Sequence, residues 1–207
     1  MSSELLIWAA LCLPLLIAAG IAITGTFSNV REGVTLVGAT ILFGVVIALA
    51  SQVAGGETPS MYVGQVAPGL DLAFKLEPLG ALFALVASGL WIVNSFYSIG
   101  YMRGNRERNQ TRFYICFAIA IFGAMGVAMS ANLFTLFVFY EVLTLSTYPL
   151  VAHKGDAAAK RGGRIYLLTL LGTSIGLFLM ALMWTWALAG QNLDFVQGGL
   201  LAGLNLD

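Results

Sequence analysis

Charge is what this sequence has least of. Lysine and arginine together number 10, and aspartate and glutamate 10, in 207 residues. A soluble domain carries roughly 25% charged residues; here the share is 10%. Such a chain cannot cover itself with a hydrated surface, which excludes a water-soluble single domain. Formal net charge is zero, so no basic footprint for a nucleic acid exists. Cysteine is nearly absent. Cys12 and Cys116 both lie in apolar stretches and make neither a disulfide framework nor a metal site. The single histidine cannot supply paired imidazole ligands. No Walker-type phosphate loop and no haem-attachment motif occurs. No cofactor and no metal is expected, and any redox chemistry would belong to partner chains.

What is present is apolar sequence in long runs. A membrane-spanning helix needs about 20 mostly apolar residues. Six stretches qualify: 5–24, 34–54, 79–101, 113–129, 133–151 and 165–188. The reading is an all-α polytopic membrane protein, one membrane domain over 1–207, with the lipid bilayer as its solvent. The first run lacks the basic flank of a signal peptide, so it is read as a retained helix. Residues 25–33 form a short polar connection, and 152–164 a basic one. Between helices two and three, Leu70, Leu72, Phe74 and Leu76 alternate with Asp71, Ala73 and Lys75. That period of two predicts a short strand or hairpin on the membrane surface. The tail from 190 to 207 is rich in Gly and Leu and holds no seventh span.

Nine of the ten basic residues fall in the connections 25–33, 102–112 and 152–164; Lys75 is the exception. The positive-inside rule then places both termini on the outer, periplasmic side of the cell's inner (plasma) membrane. Tyr97, Tyr101, Trp184 and Trp186 suit the aromatic belts, as lipid anchors.

One acid stands apart. Nine of the ten acidic residues read as loop or tail positions, but Glu141 lies near the midpoint of helix five. A charge at that depth costs about 2.5–3.5 kcal/mol on insertion scales. Burial favours the neutral carboxyl, so a membrane-embedded Glu can bind and release a proton near neutral pH. Helical spacing puts Thr144 and Tyr148 on its face, where their hydroxyls are expected to bond the carboxylate or order water. Tyr140, Ser146 and Thr147 add polarity, and Pro149 removes a donor near the helix end. The alternative is a Glu that merely bridges two helices. His153 and Lys154 follow twelve and thirteen residues on, about 18 Å along a helix. They are candidates for a proton relay, and equally for an interfacial anchor that suits the helix dipole. In helix six, Thr169, Gly172, Thr173 and Gly176 form a small-residue stripe with a GxxxG pair, a helix-packing signal.

The stretch 130–154, SANLFTLFVFYEVLTLSTYPLVAHK, resembles the fifth-helix region of the antiporter-like proton-translocating subunits. That family includes M-, N- and L-type subunits of respiratory complex I, D-type subunits of Mrp Na⁺/H⁺ antiporters, and membrane-bound hydrogenase subunits. Residues 71–83, 112–129 and 162–173 fit the same pattern. The resemblance implies a multisubunit complex and a Glu at position 141 that pairs with a Lys on a seventh helix. It also implies about fourteen helices around two inverted repeats, of which this chain would hold the first six. The chain then reads as a fragment, as a split subunit completed by a partner chain carrying the Lys, or as a degenerate subunit. The leading expectation is a proton-translocating subunit with Glu141 as carrier. A structural scaffold is the alternative, and a small-solute transporter is weaker still.

Overall fold

The computed structural model describes residues 2–201. Among these described residues, six helical spans are long and apolar enough to cross a membrane. They are α1 (Ser3–Ile23), α2 (Ser28–Ala54), α3 (Pro78–Gly104), α4 (Gln110–Ala128), α5 (Leu133–Val151) and a sixth in three parts. The sixth runs through α6 (Ala157–Thr173), a π-helical segment (Ser174–Leu179) and α7 (Met180–Leu188). The chain is a polytopic all-α membrane protein. Two strands, β1 (Ser60–Ala67) and β2 (Leu70–Lys75), form the hairpin between α2 and α3.

Two helix starts lie earlier than hydropathy alone places them. α2 begins at Ser28, so Arg31 and Glu32 are helical. α6 begins at Ala157, where Asp156 caps it by accepting from the Ala159 amide at 2.6 Å. Its first turns carry Lys160, Arg161 and Arg164, all exposed. Apolar runs mark what lies in lipid, and a helix can extend beyond that depth into the polar layer.

α1 packs against α2 and α4, α3 against α2 and α4, α5 against α4, and α6 against α5. The shared core includes Ile7, Ile21, Leu42, Val46, Trp91 and Met125, each at most 1% exposed. With no water to drive helices together in lipid, contact depends on close backbone approach. Gly38 lets α2 meet Ile17 of α1, and Gly126 lets α4 meet the Phe139 ring of α5. A Cβ at either position would overlap its neighbour. The expected packing pair Gly172 and Gly176 faces open space instead.

The hairpin is antiparallel, with Ser60 opposite Lys75 and Met61 opposite Phe74. It turns at Gly69, whose φ of +73° suits glycine. The alternation survives as burial only at the end of the run, where Phe74 is 3% and Leu76 1% exposed, while 70–73 are all half-buried; Phe74 sets its ring edge-on to Phe139 at 5.4 Å. The free edge of β2 is covered by the α4–α5 turn. Lys75 N–H donates to Met129 O at 2.7 Å, and Ala131 N–H to Ala73 O at 3.1 Å. Trp186 also ties to the hairpin, donating to Pro68 O at 3.3 Å. Tyr97, Tyr101 and Trp184 are exposed.

The basic connections converge on one end of the bundle. Arg31 of α2 reaches Gln110 and Thr111 of α4, Arg103 of α3 reaches Glu32 of α2, and Arg112 of α4 reaches the His153 carbonyl after α5. Lys75 lies in the hairpin, which joins the other ends of α2 and α3.

Candidate functional site

α5 starts from a firm cap. Asn132 is 2% exposed, accepts from the Thr135 amide at 2.8 Å and donates to Asp71 O at 2.9 Å. Thr135 is fully buried, and its hydroxyl donates to the same Asp71 carbonyl at 3.2 Å. The first turn of α5 is thereby fixed to β2. Pro149 does not break the helix, which runs on to Val151.

Glu141 sits midway along α5. Its Oε1 is buried and has no hydrogen-bond partner. Phe137, Thr144 and Tyr148 share its stripe at i−4, i+3 and i+7. That stripe is turned toward the sixth span: the Phe137 ring meets Phe178 edge-on at 5.4 Å, and Tyr148 lies against Gly163. The α4-facing side carries Phe139 and Leu143 instead. Thr144 is buried at 4% exposure. Neither its hydroxyl nor that of Tyr148 bonds Oε1, so the expected hydroxyl contact is not formed there. Tyr140 turns its ring onto Phe178 at 5.9 Å. Thr147 is 3.1 Å from the Tyr166 hydroxyl and donates to Thr144 O at 2.8 Å; Ser146 donates to Leu143 O. Glu141 as a whole is half-buried, with Oε1 the enclosed atom.

His153 lies on a different side. It follows α5 in the turn and sets its ring edge-on to Phe113 of α4 at 5.5 Å. Its backbone oxygen accepts from Arg112, and both ring nitrogens are buried without partners. Burial first, and then the Arg112 charge, hold its pKa below the ordinary 6.5. The structure thus sets His153 against α4, while Glu141 lies half-buried on the stripe whose Phe137 and Tyr148 meet the sixth span. Lys154 is exposed. Thr169, Gly172, Thr173 and Gly176 lie on an exposed face of the sixth span, with the Thr173 hydroxyl donating back to Thr169 O at 3.0 Å.

No protein-family model matches this chain. Individual relatives do. A putative antiporter subunit mnhA2 of Staphylococcus haemolyticus (strain JCSC1435) is 30% identical over 105 residues, 50% of this chain and 13% of its own length. NADH-quinone oxidoreductase subunit N of Desulforudis audaxviator (strain MP104C) is 31% identical over 147 residues, 70% of this chain and 28% of its own length. This chain belongs to the antiporter-like, complex I-type family of membrane subunits. A solved structure of the membrane-bound sulfane sulfur reductase, an archaeal respiratory membrane complex, shares the fold. It matches 90% of this chain and 28% of its own at a TM-score of 0.73 and 18% identity. The chain spans less than a third of the length of each of these relatives.

The antiporter-like subunit holds a second carboxylate that sequence reading left in a loop. Glu32 is 5% exposed inside α2 and is gripped by two guanidinium groups, Arg31 and Arg103. Arg31, 3% exposed, also donates to Gln110 at 2.8 Å and Thr111 at 3.1 Å, and stacks over the Tyr114 ring. Two guanidinium groups and one carboxylate at the polar end of the bundle make a paired cluster. Glu141 deep in its span has no such partner at Oε1. The signal in the sequence was an Arg-Glu pair abutting an apolar run at helical spacing.

Proposed function

We propose that this chain is a proton-translocating membrane subunit of a multisubunit complex, with Glu141 as the proton carrier. The observation that carries the reading is the enclosed, unpartnered Oε1 in mid-span. Ionisation there needs a cation that this chain does not place at that atom. A Lys supplied by another membrane subunit would favour the charged carboxylate and expel the proton; its withdrawal would return the neutral acid. The exposed small-residue stripe of the sixth span supports a helix partner on that flank. His153 and Lys154 at the basic end stand as candidate steps toward the cytoplasm, and Tyr140, Thr144 and Tyr148 as the polar wall. Convergence of the basic connections supports a plasma-membrane topology with both termini outside. The coupled machine is a complex I-like quinone oxidoreductase or a cation/proton antiporter, as the relatives' names suggest.

The test is Glu141→Gln in the assembled complex, reconstituted in vesicles with a pH-sensitive dye inside. The variant keeps size and most hydrogen bonding but cannot titrate. Proton flux should fall at least about tenfold, the scale on which a lost proton-transfer group acts. Undiminished flux would leave the scaffold reading in its place.

A further inference from the structure

The sixth span changes pitch where it packs on α5 beside Phe137 and Tyr140. Ser174–Leu179 is π-helical, between α6 and α7. A π-turn is a one-residue insertion whose N–H groups reach back five residues rather than four. Each insertion leaves a backbone carbonyl without its usual donor, and in a bilayer that group must find another.

Two sets of contacts fix where this segment lies. Phe178 is wedged between Phe137 and Tyr140 of α5, and nearer the basic end Tyr148 rests on Gly163. Phe137, Glu141 and Tyr148 share one stripe, so the carboxyl faces the part of the sixth span between Gly163 and Phe178. The residues between those two contacts that are not exposed are Tyr166, whose hydroxyl is paired with Thr147, and Leu167, Leu170, Leu171 and Ser174. Three are apolar. Ser174 is 2% exposed, and its hydroxyl makes a long 3.3 Å bond to Leu171 O.

We propose that Ser174 and the π-turn carbonyls beside it form the hydrogen-bond acceptor that holds proton-loaded Glu141. The proposal rests on reading Glu141 as the carrier. A neutral carboxyl has one O–H to donate, and a freed carbonyl needs one donor. The ionised carboxylate has only acceptors; it can take the Ser174 hydroxyl but must abandon the carbonyl. The hydroxyl therefore serves both protonation states, and the carbonyl only the loaded one. On release, the O–H···O=C bond breaks and the proton leaves to water or to a partner group. Ser174 is a positioning residue in this scheme: it sets where the carboxyl waits between transfers.

Deleting Gly176, which faces open space, restores α pitch while keeping α6 and α7 on their present faces. Infrared difference spectroscopy on the assembled complex would follow the carboxyl C=O band of protonated Glu141, identified by its loss in Glu141→Gln. The Gly176 deletion and Ser174→Ala should each move the band to higher frequency, the mark of a freer carboxyl. Ser174→Thr, which keeps the hydroxyl, should leave it in place. Ser174→Ala leaves the pitch untouched, so it decides the matter even if the deletion disturbs assembly. An unmoved band in Ser174→Ala overturns this inference and leaves the carrier reading standing. A wild-type complex in which no Glu141 band comes and goes during turnover overturns both.

Discussion

Arg103 grips Glu32 with two nitrogens, Nε at 3.0 Å from Oε1 and an Nη on Oε2, and so joins the end of α3 to the start of α2. Arg31 completes the cluster from the other side. Removing one partner from a buried pair leaves the other charge stranded. Glu32→Ala strands Arg31 at 3% exposure and should cost about 3 kcal/mol in thermal unfolding in detergent. Arg103→Ala should cost less, because Arg103 is half exposed and Arg31 still holds the carboxylate. Equal losses from the two variants would refute this division of roles.

Glycines at the α4–α5 contact and in the sixth span should respond oppositely to a methyl group. Gly126→Ala drives a Cβ into the Phe139 ring and should destabilise by about 1–3 kcal/mol. Gly172→Ala enters open space and should be neutral, or stabilise by up to about 1 kcal/mol through helix propensity. In the assembled complex, Gly172→Ile should weaken subunit association without altering the fold of the chain. Normal assembly with Ile at that position would remove this flank as a partner surface.

The corner after α5 should loosen in acid. The folded state keeps His153 neutral below the pH at which an unfolded histidine takes a proton. The unfolded chain therefore binds the proton first, and stability declines as pH falls below about 6.5 and is complete above it. Hydrogen exchange of the amides around 152–156, corrected for intrinsic rate, should accelerate between about pH 7.5 and about pH 5. His153→Phe, which keeps an aromatic ring against Phe113, should flatten that dependence. An identical profile in the variant would assign the effect elsewhere.

Asn132 serves two elements at once. Asn132→Ala should cost about 1–2 kcal/mol for the lost helix cap and also free β2 from α5. Asn132→Asp keeps an acceptor for the Thr135 amide but loses the donor to Asp71 O, and should restore only part of the loss. Protease susceptibility of the hairpin separates the two contributions: both variants should raise it.

The six spans and the hairpin could be read directly, because lipid demands long apolar runs and a half-buried strand demands alternation. Glu141 stood out for the same reason: a charge inside such a run is rare. The start of α6 was hidden because Lys160, Arg161 and Arg164 are helical without being apolar. Glu32 was hidden for the converse reason, since a polar stretch before a run looks like a loop until Arg103, distant in sequence, is seen to close on it. The direction in which Glu141 faces, and the separation of His153 from it, depend on how α4 and α6 lie against α5. The π-helical segment, whose Phe178 lodges between Phe137 and Tyr140, leaves no mark in composition.

The spans are unevenly supported. Inside this chain, 44% of the α1 and α4 windows is buried, but only 11% of that of the sixth. A helix with so little to lean on draws little of its stability from the other five spans. Local opening should therefore begin at the sixth span, while the first five hold one another. Whatever helix covers that flank, from the same polypeptide or from another, would also firm the wall of the site proposed around Glu141.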